Sequence, residues 1–316
     1  MEVSVQGQTA AAPARYEERT AAGFIYKSVS EDTRKAYRIC LRDFFTFVEG
    51  IHPALVTPEH VIAFRDDMIG SGRKPATIMN KLAIIRSFFA HLQAGGTVTL
   101  NPASTKLVKP PRQGESTAGR ALTPKEALHL LAGPDRSRPE GARDYALMHV
   151  MLRLGLRVAE VVSLRRTSLV WKGRWTLSCK VKGGREEVWP LPEDVRQAIE
   201  GYLRLDARRR SLVGSGGEDA PLFQPHSNFR TLVYDKPLSR RQVERIVSRW
   251  GDYTGLGKVT PHDLRRTVVT ELLRRGHSYR EVQMVTKHRD PKTVMRYDRA
   301  RENLDSNPVN TFNYES

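Results

Sequence analysis

Residues 101–120 constrain this chain more firmly than any other stretch. They hold Asn101, Pro102, Pro110, Pro111 and Gly114 among Ser, Thr, Lys and Arg, with too few apolar side chains to bury and too many breakers to continue a helix. The stretch reads as an extended basic linker, so the 316 residues are expected to fold as two bodies, each large enough to enclose its own core. A mean hydropathy of −0.49 with 28% charged residues fits a soluble globular chain. The longest apolar stretches, residues 44–48 and 146–156, are short or broken by Arg and His, far below the roughly 20 residues a bilayer requires. The amino terminus lacks the basic start and apolar core of a secretion signal, and a cytoplasmic protein is expected. The only cysteines, Cys40 and Cys179, fall in different halves and form neither a disulfide framework nor a four-ligand zinc site.

Before the linker, from Ser28 onward, the pattern is helical. Tyr37, Leu41, Phe44 and Val48 recur at helical spacing over residues 31–49, which Gly50 ends. A second helix is expected from Thr57, with Pro58 in its first turn, up to Gly70. A third covers residues 76–94, with Ile78, Leu82, Ile85, Phe88, Phe89 and Leu92 on one stripe. After the linker, Thr123 and Glu126 form a capping box, and a helix over 141–154 is closed by Gly155. Residues 175–191 switch to two β-prone runs around Gly183 and Gly184, which reads as one β-hairpin. Helices follow at about 192–210, 239–253, 261–275, 279–286 and 291–297.

Charge is unevenly placed. Residues 1–105 hold 12 Lys and Arg against 10 Asp and Glu, while residues 106–316 hold 40 against 25. A basic half of this kind attracts a polyanion through counterion release, which points to nucleic acid. Anionic lipid fits less well, because no basic amphipathic anchor accompanies the charge.

Four places in that basic half have residues suited to phosphate chemistry. Thr260-Pro261-His262-Asp263-Leu264-Arg265 opens a helix with a cap, a first-turn proline and a capping-box carboxylate, and puts His262 and Arg265 on one face. The free N–H groups and positive dipole end there favour an anion. In Gly155-Leu156-Arg157-Val158-Ala159-Glu160, Arg157 and Glu160 are three apart, so the carboxylate can fix a guanidinium whose planar fork suits phosphate. Lys182 precedes Gly183 and Gly184, at the tip of the hairpin, a place for a proton donor. Finally, His288 is followed by Asp290 and Pro291, which start a short helix delivering Tyr297. Read singly, each has an ordinary alternative: a solvated first turn, a surface ion pair, a turn lysine or a packed tyrosine.

In this order, the Arg of GLRVAE, the Lys before GG, HDLRR, the late His and the Tyr nine residues beyond it resemble the active-site pattern of tyrosine recombinases, the phage integrase family with its Xer-like enzymes. The resemblance covers nearly the whole chain. It implies a mainly α fold with a small β-hairpin or sheet, arranged as a two-domain clamp: a helical SAM-like core-binding domain over 28–100 and a mixed α/β catalytic domain over 121–297. Residues 1–27 and 298–316 would be tails, the latter reaching a neighbouring protomer through Phe312 and Tyr314. It further implies that Arg157 and Arg265 clamp the scissile phosphate, and that His262 and His288 hydrogen-bond to it and assist proton transfer. Lys182 would protonate the departing 5′ oxygen, Glu160 would support the site from behind, and Tyr297 would attack phosphorus. Lys287, where many relatives have Gly, and Arg266, where His is frequent, depart from the pattern.

The expected function is site-specific breakage and rejoining of double-stranded DNA through a 3′-phosphotyrosyl link and a Holliday junction. The working unit implied is a homo-tetramer, with room for an accessory directionality factor and with no metal or other cofactor. A type IB topoisomerase, or a DNA-binding protein that has lost catalysis, are the alternatives. Tyr314 is the runner-up nucleophile, without the helix and upstream His.

Overall fold

The computed structural model describes residues 15–111, 119–180, 185–211, 217, 219–225, 236–288, 290–295 and 297. The chain divides into two compact units, residues 1–116 and 117–316.

In the first unit a 3-10 turn (Glu18–Ala21) runs into α1 (Ala22–Tyr26), followed by α2 (Glu31–Phe47), α3 (Pro58–Gly70) and α4 (Pro75–Ala94). The apolar stripes of α2 and α4 face each other and carry the core. Phe24, Phe44, Phe88 and Phe89 are fully buried, with Phe45 nearly so. Phe45 meets Phe88 at 5.9 Å and 84°, and Phe44 meets Phe64 at 5.3 Å and 74°, the edge-to-face geometry that aromatic quadrupoles favour. At about 1.5–3 kcal/mol for each buried apolar side chain, this cluster is what holds the small unit together.

Two sequence expectations need correction here. Residues 18–26, expected within a tail, are helical because Phe24 and Ile25 insert into the core, and Phe24 stacks on Tyr37 at 4.6 Å. The first part of the expected linker also folds back: Ala103 and Val108 are buried, and Asn101 Nδ2 donates to the Arg86 carbonyl while Arg86 Nε donates to that of Ala103. Two small buried apolar residues and hydrogen bonds exchanged with Arg86 of α4 dock this segment.

The second unit contains α5 (Pro124–Ala132), α6 (Pro139–Leu154), α7 (Val158–Ser163), the strands β1 (Leu169–Trp171), β2 (Trp175–Lys180) and β3 (Glu186–Pro190), and then α8 (Glu193–Ser211), α9 (Arg240–Tyr253), α10 (Pro261–Arg274), α11 (Tyr279–Thr286) and α12 (Pro291–Met295). The strands form one antiparallel sheet in the order β1-β2-β3, with Leu177 opposite both Leu169 and Trp189. The sequence pattern showed β2 and β3 but not the three-residue β1.

Helix α6 is the axis of this unit and packs against α5, α8 and α10. Its Asp144 is fully buried and accepts from Arg143 Nε (2.9 Å) and Nη2 (2.7 Å), from Trp250 Nε1 (2.9 Å) and from Arg249, which ties α6 to α9. Four donors compensate a carboxylate that would be costly to bury unpaired. A smaller cluster of Val269, Val282 and Val294 joins α10, α11 and α12, with Tyr297 packed against it. Cys40 and Cys179 are free thiols, and burial pushes each up to about 12, which leaves both protonated at neutral pH. Among the described residues no helix is long and apolar enough to cross a membrane.

Candidate active site

The site is built on the start of α10. Thr260 is the N-cap: its hydroxyl accepts from Asp263 N (3.3 Å), and the Asp263 carboxylate accepts from Thr260 N (2.9 Å). With that turn fixed and Pro261 at its first position, His262 is held at the exposed edge while Arg265, one turn on, points into the protein and is 4% exposed.

Three acceptors hold the buried Arg265 guanidinium. Nη1 donates to the Gly155 carbonyl, and Nη2 donates to the Thr286 carbonyl at 2.6 Å and to His288 Nε2 at 2.9 Å. Gly155 ends α6 in the left-handed conformation, φ +62°, and an added Cβ would lie 3.4 Å from Val268 and 3.5 Å from Thr286. That turn aims its carbonyl at an arginine 110 residues later. Burial, and then the neighbouring Arg157, bring Arg265 down to about 10, so it remains a cation at neutral pH.

Because arginine only donates, His288 Nε2 must accept, which places the imidazole proton on Nδ1. Nδ1 donates to Thr286 Oγ1 at 2.7 Å, and that hydroxyl donates onward to the Val282 carbonyl at 2.8 Å. Burial, followed by Arg265 and Arg157, pushes His288 down to about 4, so the ring is neutral at pH 7. His262 is also lowered, first by desolvation and then by Arg266, with Asp263 opposing.

Arg157 is the N-cap residue of α7, directly after the Gly155 turn. Glu160 accepts from its backbone N at 2.6 Å and from its Nη1 at 2.8 Å. Glu160 is 6% exposed, whereas the Arg157 side chain is 43% exposed. The carboxylate therefore braces a guanidinium that keeps access to an incoming anion.

Tyr297 lies just beyond α12, its N–H donating to the Val294 carbonyl at 2.9 Å. Its hydroxyl is 3.2 Å from His262 Nε2, and its ring centroid is 6.3 Å from those of His262 and His288. Arg265, His262, His288 and Tyr297 thus connect through a continuous set of contacts, and Arg157, braced by Glu160, is an electrostatic neighbour of Arg265, His262 and His288. Lys182 lies outside the described residues, as do Phe312 and Tyr314. The strands flanking Lys182 are described up to Lys180 and from Glu186. Lys287, in the left-handed conformation at φ +54°, ends α11 and approaches Glu187 of β3 at 3.6 Å, while Trp189 Nε1 donates to the Val285 carbonyl at 2.7 Å. These contacts join β3 to the turn that carries His288.

Sequence reasoning missed three contributors. The Gly155 carbonyl has no residue-specific signal. Thr286 looked like an ordinary helix-end residue. Arg266, whose guanidinium lies 5.0 Å from the Tyr297 ring centroid, was legible as the residue four after His262 on the same helix face. Cations and neutral imidazoles gathered around one tyrosine hydroxyl can bind a tetrahedral anion, take a phenolic proton and stabilise charge developing on the anion's oxygens.

Residues 120–303 match the Phage integrase family, and residues 18–94 match the phage integrase N-terminal SAM-like domain. The tyrosine recombinase XerC of Thermodesulfovibrio yellowstonii is 29% identical over 275 residues, which cover 86% of this chain and 87% of that protein. A crystal structure of a lambda integrase dimer bound to a COC′ core site superposes with a TM-score of 0.67 at 17% identity, covering 90% of this chain and 95% of that one. A lambda integrase tetramer bound to a Holliday junction gives 0.66 at 16% identity, covering 89% and 75%.

Proposed function

The chain belongs to the phage integrase family of tyrosine recombinases, and from that premise we propose that it cuts and rejoins DNA at specific sites with Tyr297 as nucleophile. The observation that carries this reading is the 3.2 Å approach of the Tyr297 hydroxyl to the neutral His262 Nε2, beside the Arg265–His288 pair.

The steps balance. His262 takes the phenolic proton as the tyrosine oxygen bonds to phosphorus. The P–O5′ bond breaks, and the departing oxygen takes a proton from the Lys182 ammonium. A 3′-phosphotyrosyl ester and a free 5′ hydroxyl result. The hydroxyl of another strand then attacks the ester, returning the phenol. One phosphodiester replaces another, so the exchange is close to balanced in energy. Arg157 and Arg265 hold the non-bridging oxygens, each worth a few kcal/mol to the transition state (about 2.7–4 for a single well-placed donor). His288 donates no proton in its neutral form through Nε2; it orients Arg265.

The partner that fits is double-stranded DNA, supported by the basic second half and by the integrase relatives seen on a core site and on a Holliday junction. We read residues 18–100 as a DNA-binding domain and 121–297 as the catalytic domain, working as a tetramer with two protomers on each duplex. Incubation with a nicked duplex bearing the protein's own attachment or terminal sequence should give a covalent adduct on a denaturing gel. Tyr297→Phe should abolish the adduct while leaving DNA binding intact. An adduct that survives the substitution assigns the nucleophile elsewhere, and site-independent plasmid relaxation would favour the topoisomerase reading.

A further inference from the structure

Arg266 is a cation in an unusual position. Its side chain lies on α10 between the face that carries His262 and the face that receives the segment leading into this unit. It is 8% exposed, and its buried Nε has no hydrogen-bond partner among the described residues. Among the described residues no carboxylate forms an ion pair with it. Two contacts compensate its charge: Nη1 donates to the Gly119 carbonyl at 2.7 Å, and the guanidinium lies 5.0 Å from the centre of the Tyr297 ring. A buried cation held by one carbonyl and one aromatic face is costly unless both are kept in place.

The Gly119 carbonyl is itself firmly set. Gly119 has φ +61°, and an added Cβ would lie 2.4 Å from Asp263 Oδ1, so this backbone approaches α10 as closely as glycine allows. The next residues continue the docking along the same helix: Arg120 N donates to Asp263 Oδ1 at 3.1 Å, and Leu122 N donates to Thr267 Oγ1 at 2.8 Å. Asp263, Arg266 and Thr267 therefore form one edge of α10 that receives residues 119–122. Arg266 alone among the three also touches the tyrosine.

We propose that Arg266 is a positioning residue: anchored by the Gly119 carbonyl, its guanidinium is the platform on which the Tyr297 ring rests, so the placement of the nucleophile depends on how residues 119–122 dock on α10. The inference rests on Tyr297 being the nucleophile. Arg266 touches the ring and not the reacting phosphate, so its loss acts on the rate of attack at saturating DNA and leaves affinity in place. A lysine keeps a cation near the ring but lacks the planar fork that reaches the carbonyl.

The test uses the full chain and a nicked duplex that traps the covalent adduct. Single-turnover adduct formation at saturating DNA is measured for wild type, Arg266→Gln, Arg266→Lys and Gly119→Ala, alongside DNA affinity and melting temperature. Site-specific 3-fluorotyrosine at position 297 reports the ring by 19F NMR. Arg266→Gln should slow adduct formation by about tenfold or more, equivalent to ~1.4 kcal/mol of barrier, with affinity within about threefold of wild type. Arg266→Lys should recover part of the rate. Gly119→Ala should slow the reaction in the same direction and shift the same 19F resonance. The proposal is overturned if folded Arg266→Gln forms the adduct at the wild-type rate, or if the 19F resonance stays unmoved while only melting changes. Should wild type form no adduct, or form one that Tyr297→Phe leaves intact, the failure lies with the nucleophile assignment and not with Arg266.

Discussion

Replacing Thr286 by valine removes one hydroxyl and keeps the shape of the side chain. Thr286 is 1% exposed, and its Oγ1 accepts the proton that fixes His288 in the tautomer Arg265 requires. In the valine variant Nδ1–H faces a methyl group, and a buried donor left without a partner costs about 1–3 kcal/mol. For a unit of roughly 200 residues each kcal/mol lowers the melting temperature by about 2–4 °C, so a fall of roughly 2–12 °C is expected. If His288 escapes by moving its proton to Nε2, two donors then oppose each other where Arg265 Nη2 now approaches at 2.9 Å. In that second case the guanidinium loses its His288 acceptor, and in the first the ring that supplies that acceptor is no longer held in place. Single-turnover adduct formation should fall about 10–100-fold, or ~1.4–2.7 kcal/mol of barrier, while DNA affinity changes little. Thr286→Ser, which keeps the acceptor, should stay near wild type. Histidine 15N shifts, compared with those of the serine variant, report the tautomer directly. A valine variant that forms adduct within about twofold of wild type would refute the reasoning, because the His288 tautomer would then be irrelevant to Arg265.

Other expectations follow from the same geometry. Gly155→Ala puts an L side chain at φ +62° and should cost roughly 1–2 kcal/mol by urea melts, with adduct formation falling further because the carbonyl serving Arg265 moves. His288 titrates at about 4 when folded against ~6.5 unfolded, so the unfolded chain takes up a proton that the folded chain refuses. Stability should therefore fall as pH drops from about 6.5 to about 4, and His288→Gln should lose about 1–2 kcal/mol less than wild type between pH 7 and pH 5; parallel losses in the two proteins would contradict it. Glu160→Gln weakens the brace on Arg157 and should lower the adduct rate at saturating DNA, whereas an effect confined to affinity would make Glu160 part of binding alone. DNA affinity should drop steeply with salt, and a flat response would remove the charge argument.

Legibility in the sequence followed how local each interaction is. The start of α10 was readable because Thr260, Pro261 and Asp263 make their contacts within one turn. The stripe on α4 was readable because six apolar residues from Ile78 to Leu92 recur at helical spacing. Strand β1 was not, since three residues give no period and Leu169 acquires meaning only opposite Leu177. Helix α1 escaped for a related reason: five residues with Phe24 and Ile25 become a helix only when those side chains find the α2 and α4 stripes. In the site, the residue types that bear charge or a nucleophile were visible, but their supports were not. Arg265 depends on a carbonyl of Gly155 and another of Thr286, and every residue has a carbonyl. Arg266 was visible as a charge without a role, because its role requires Gly119 on one side and Tyr297 on the other.

In the proposed reaction the hydroxyl of Tyr297 becomes bonded to phosphorus. Digestion after glutamate separates the two competing tyrosines, since Tyr297 falls in residues 282–302 and Tyr314 in residues 303–315. After trapping on a nicked duplex and nuclease trimming, mass spectrometry of the digest measures which segment carries the nucleotide. A 3′-linked nucleotide on residues 282–302, with Tyr297 as the modified residue, is expected. A nucleotide on residues 303–315, or one linked through its 5′ phosphate, would contradict it.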